Sequence, residues 1–144
     1  MKVMMLAALM GLATLGLNAE VVQNEFNGGV GFYNPCNGLL VTATGPVNLQ
    51  VQTMENANKV MVSIHGRIKL EGTDSQGNAY QTSFQMNANF DAKSTQYVVP
   101  YNAIFVGQGG ASNFKADGEI RIFVNAAGKP VGALIISATT SCQN

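Results

Sequence analysis

From Leu39 onward the chain alternates apolar and polar residues with a period of two, broken by short turns. Leu39, Val41, Ala43, Gly45, Val47, Leu49 and Val51 share one parity, while Thr42, Thr44, Asn48, Gln50 and Gln52 share the other. That is the pattern of a half-buried strand. Pro46 lies on the polar parity, where a missing amide donor is tolerated at an edge or bulge, and with Gly45 it predicts a bend. After Glu55-Asn56-Ala57-Asn58 the alternation resumes, with Val60, Val62, Ile64, Gly66, Ile68 and Leu70 inward and His65, Arg67 and Lys69 outward. A turn at residues 74–78 then leads to a third segment with Tyr80, Phe84, Met86 and Phe90 on its apolar parity.

The segment 96–106 is apolar on both parities: Tyr97, Val99, Tyr101 and Phe105 on one, Val98, Ile104 and Val106 on the other. The pattern leaves open which face is buried. A glycine-rich turn at 107–112 follows, then Phe114, Ala116, Gly118, Ile120, Ile122 and Val124 inward, a tight hairpin at Asn125-Ala126-Ala127-Gly128, and a last strand from Val131 to Thr140. Residues 20–32 give the weakest signal and read as a short strand or an irregular lead-in. No helical period is present downstream of the N-terminal segment. The prediction is an all-β antiparallel meander of seven or eight strands. Inward glycines suit strands that bend sharply, so a closed or nearly closed β-barrel is expected, with a β-sandwich as the alternative.

The first residues change the picture. Lys2 followed by the apolar run from Val3 to Leu17 and by Ala19 reads as a secretory signal over residues 1–19, too short to span a bilayer as a helix. Residues 20–144 then form one domain, exported to the periplasm or the exterior. Losing Lys2 leaves seven Lys and Arg against eight Asp and Glu, a balance of −1. Lys59, Lys69, Lys93, Lys115 and Lys129 are scattered along the chain rather than clustered, so no nucleic-acid partner is expected. Cys36 and Cys142, the two cysteines, are expected to form a disulfide in an oxidising compartment.

Candidate chemistry is sparse. His65 is the one histidine and stands on a polar parity beside Ser63, Arg67 and Lys69, the setting of a solvated strand residue. Asp117 and Glu119 suit cross-strand ion pairs better than a glycosidase carboxylate pair. Gly107-Gln108-Gly109-Gly110 lacks the Lys-Ser/Thr and the following helix of a phosphate loop. No catalytic group, metal or cofactor site is expected. The amide ladder of Asn48, Gln50, Gln85, Asn87 and Asn89 has the chemistry to bind carbohydrate but equally makes a soluble outer face. An outer-membrane barrel is disfavoured because the apolar parity is rich in Gly and Ala and aromatic girdles are missing.

Tyr97, Tyr101 and Phe105, with Phe123, are the candidate ligand or partner patch. They line a cavity for a small apolar ligand, form a homo-oligomer or partner surface, or are ordinary core beneath the N-terminal segment. The expected role is a non-enzymatic binding or interaction module. An enzyme, a hydrolase or isomerase using the barrel mouth, is the alternative.

Asn34-Pro35-Cys36-Asn37-Gly38, the stretch Phe105-Val106-Gly107-Gln108-Gly109 running on through Ser112-Asn113-Phe114, Val124-Asn125-Ala126-Ala127-Gly128 and the terminal Cys142 together resemble a group of small secreted bacterial β-proteins. These open their mature domain with an Asn-Pro-Cys-x-Gly motif and close it with a single cysteine. The group has no assigned activity, so the resemblance implies fold and export alone. Its members often carry a carboxylate after the motif's glycine. Leu39 stands there in this chain, so no role of that carboxylate carries over.

Overall fold

The computed structural model describes residues 18–143, and the signal expected over residues 1–19 falls almost wholly outside them. Seven strands follow in order: β1 (Asn18–Tyr33), β2 (Leu40–Asn56), β3 (Lys59–Asp74), β4 (Ala79–Phe90), β5 (Gln96–Gly107), β6 (Asn113–Val124) and β7 (Pro130–Gln143). Each pairs antiparallel with its sequence neighbour, giving one sheet in the order β1 to β7. The sheet curls into an open half-barrel. A single curled sheet, rather than two packed ones, sets aside the sandwich alternative.

Alternation decides which face is inside. Val41, Leu49, Ile64, Phe84, Phe114 and Ile122 point into one continuous core, while their odd or even neighbours face solvent. Burying each such side chain contributes about 1.5–3 kcal/mol relative to leaving it exposed. In β5, apolar on both parities, the row Tyr97, Val99, Tyr101, Ala103 and Phe105 is buried. The other row stays outside, with Val98, Ile104 and Val106 at 38%, 48% and 40% exposure.

Residues 18–33 differ from the expected short strand or irregular lead-in. β1 is sixteen residues long and pairs with β2 over its whole length, from Asn18↔Glu55 to Tyr33↔Leu40. Phe26, Val30 and Phe32 turn toward the core, but the asparagines and glycines between them thin the alternation that identifies a strand in the sequence.

Two prolines interrupt the ladders. Pairing of β2 with β3 stops at Thr44↔Glu71 and resumes at Leu49↔Gly66, which leaves Gly45 to Asn48 out of register contact. Pairing of β4 with β5 ends at Met86↔Tyr101, next to Pro100. A proline has no amide hydrogen to donate, so the sheet opens beside Pro46 and Pro100.

One end of the half-barrel is plugged. Asn34 is fully buried there, and its Nδ2 donates to the Tyr80 hydroxyl at 2.9 Å and to the Ser112 carbonyl at 3.1 Å. Its Oδ1 accepts the Cys36 amide at 2.8 Å, and its backbone closes the turn with Leu39 and Gly38. Beneath this plug the rings of Phe105 and Phe114 stack at 4.3 Å, with Phe32 against Phe105 at 5.3 Å. The opposite end, reached by the 93–95 and 125–128 loops, is an open mouth of about 790 Å³.

Candidate functional site

An odd number of strands in a meander leaves its two edges parallel, and here β1 and β7 stand side by side without a ladder between them. They are held at two places. Asn24 Nδ2 donates to the Pro130 carbonyl at 2.8 Å, and Cys36 is bonded to Cys142 with the two Cα atoms 5.1 Å apart. Both links span 106 residues, so the edges keep one register from end to end. The disulfide expected from the sequence is thus present, and it fastens the seam.

Between the two fastenings the seam parts into an apolar slot of about 240 Å³. Phe26 and Val30 form the β1 lip and Ala133 and Ile135 the β7 lip, all of them half-buried. The floor is Ile68, Leu70, Phe84 and Ile120, residues of the core itself. Gly28, Gly29 and Gly31 line the β1 side of the opening with backbone. Gly28 is also packed: a Cβ there would lie 2.7 Å from Val47 Cγ2, so the narrow edge depends on it.

The residues singled out from the sequence are dispersed. Tyr101 and Phe105 lie behind the slot floor, with Phe84 at 5.5 Å from Tyr101 and 6.3 Å from Phe105 between ring centroids. Phe32 of β1 covers Phe105, the arrangement of core beneath the N-terminal strand. Tyr97 sits at the mouth, its ring tilted against Phe90 with centroids 4.8 Å apart, and its hydroxyl accepts the Ser94 amide at 2.7 Å. Phe123 faces the other way, on the outer surface of β6 between Gln96 and Gly132. The four therefore do not form one patch.

Tyr101 spans a gap of a different kind. It pairs with Gly118, which has no side chain, and its hydroxyl crosses that glycine to donate to the Ser137 carbonyl of β7 at 3.0 Å. A Cβ at Gly118 would collide with Ser137 backbone, so the glycine is required for this approach. Burial first, and then the charge of Asp117, push the Tyr101 phenol up to about 12. It stays protonated and structural through the physiological range.

Polar chemistry lies elsewhere. At the mouth Lys93 Nζ contacts Glu55 Oε2 at 2.8 Å, and Glu55 holds the ammonium above its ordinary value. His65 is on the outer face, away from that mouth, between Gln50 of β2 and Asn87 of β4. Among the described residues no three His, Cys, Asp or Glu side chains gather as a metal site would need. No helix among them is long and apolar enough to cross a membrane.

Slot and fold together define a single-sheet, disulfide-fastened half-barrel with an apolar opening between parallel edges. No protein family, curated protein or solved structure matches the chain. The slot was not legible in advance, because its lips are about a hundred residues apart. The one advance signal was the cysteine pair, which marks where the two edges meet.

Proposed function

We propose that the protein is an exported binding module that takes a small apolar ligand, a single alkyl chain or compact ring, into the seam between β1 and β7. The observation that carries this reading is the slot itself. Its walls are apolar, its floor is the hydrophobic core, and no ladder closes the lips. Small concave sites lined mainly by hydrophobic side chains are where apolar ligands gain most, since burial removes surface from water on both partners. Export is supported by the disulfide, a bond that oxidising compartments sustain.

A second reading, a homo-oligomer, draws on Val131, Leu134 and Ile136, which expose large side chains on the outer face of β7. Native mass spectrometry of protein purified from its own host separates the two. The ligand reading expects a monomer carrying a small apolar adduct that is lost in Ala133→Phe, whose ring fills the slot, and in Val30→Trp on the opposite lip. A bare monomer that also fails to bind decanol in titration overturns it. A dimer without adduct supports the oligomer instead.

A further inference from the structure

We infer that the outer face of β2 to β5 carries a second binding site, for a polyhydroxylated monoanion of the class of a uronic-acid saccharide. A trough of about 570 Å³ crosses the sheet there. The outside of a curled sheet is ordinarily convex, and the two proline interruptions account for the hollow. The gap opposite Arg67 begins beside Pro46, and the gap beyond Met86 begins at Pro100.

Gln50, His65 and Asn87 form one cross-strand row and Arg67, Gln85 and Asn102 the next. The trough is thus lined by amides, one imidazole and one guanidinium, with no carboxylate among its walls. Little of that capacity is used internally. Gln23 Nε2 donates to Gln50 Oε1 at 2.8 Å, which orients the Gln50 amide, while Arg67 makes no ion pair among the described residues.

The chemistry of the walls selects the ligand. Side-chain amides both donate and accept, as sugar hydroxyls do, so an array of them matches a polyol edge at several points. A guanidinium accepts a planar carboxylate through two parallel hydrogen bonds. A single fixed positive charge balances a monoanion and leaves a phosphate dianion undercompensated. The exposed Pro100 ring offers an apolar surface for a sugar's C–H face.

The test is calorimetric titration of the oxidised protein with a hexuronate disaccharide and with its neutral hexose counterpart. The uronate is expected to bind at least tenfold more tightly, and Arg67→Gln to bring it down to the neutral sugar's level. In the same titration, Ala133→Phe should leave the affinity unchanged, since the slot opens elsewhere. Amide side-chain signals of Gln85 and Asn102 should shift on binding. Failure of both sugars to bind, uronate binding indifferent to Arg67→Gln, or equal competition by inorganic phosphate overturns the proposal.

Discussion

Asn34 reaches Tyr80 across the plugged end of the half-barrel, its amide 2.9 Å from the tyrosine hydroxyl, although 46 residues separate them. With the bonds to Ser112 and Cys36 it leaves neither side of the buried amide unsatisfied. Removing it strands several partners at once in a site water does not reach. Asn34→Ala is expected to lower stability by about 2–4 kcal/mol, read as a fall in the urea midpoint at unchanged slope. An unchanged midpoint would show that the plug is ornamental.

The Cys36–Cys142 bond closes a span of 106 residues. In the chain-entropy account a loop of that size is worth on the order of 4–5 kcal/mol. Reduction, or paired Cys→Ser replacement, should move the denaturation midpoint accordingly. Alkylating agent should add no mass to the native protein until a reductant is supplied.

Thr82 is the opposite of Asn34. Its Oγ1 is buried with no partner, so the hydroxyl gives up hydration and gains nothing. Thr82→Val keeps the shape and removes the polar atom. It should stabilise the fold by about 1 kcal/mol, seen as a rise of roughly 3–5 °C in Tm. A drop instead would point to a hydrogen bond at Thr82 in solution.

Tyr101 predicts the alkaline limit. Because its folded pKa is raised, the stability it carries is complete below the unfolded value of about 10 and is lost as the pH climbs from there to about 12. Unfolding followed against pH should show a loss over that window. Tyr101→Phe should flatten it, because the group that titrates is gone. A window unaltered by the substitution would assign the loss to another residue.

Asp74 sets the matching acid limit. Its burial opposes ionisation, but the side chain of Asn78 and the amides of Asn78 and Gln76 donate to the carboxylate and hold it below the ordinary 3.8. The depressed value means that this stability is present above the unfolded pKa and disappears as the pH falls through the folded one. Asp74→Asn should weaken the 74–78 turn at neutral pH and remove that part of the acid dependence. Parallel acid titrations of the two proteins, differing only by a constant, would contradict it.

Most of the sheet could be read from the chain because alternation is local. β2, β3, β4 and β6 each announce their inward row by a run such as Val60, Val62 and Ile64, and every hairpin joins neighbours in sequence. The strand from Gln96 to Gly107 marked the limit of that signal. With both rows apolar, the choice fell to contacts with Phe84, Phe32 and Phe114, which no local pattern encodes. β1 is faint in the sequence for the reverse reason, since glycine and asparagine dilute its apolar parity. The slot escaped entirely, because it exists only where the first and last strands meet.

The shared offset of 106 residues along the seam also orders the folding reaction. Six hairpins form between adjacent segments, each with a small loop to close, whereas the seam alone carries a large closure entropy. The meander therefore zips first and its edges meet last. Until they do, two long strands present unpaired backbone to any other chain, the condition in which sheets aggregate edge to edge. Oxidation of the cysteine pair accordingly holds the two unladdered edges against each other and limits that exposure, and folding in a reducing medium should prolong it.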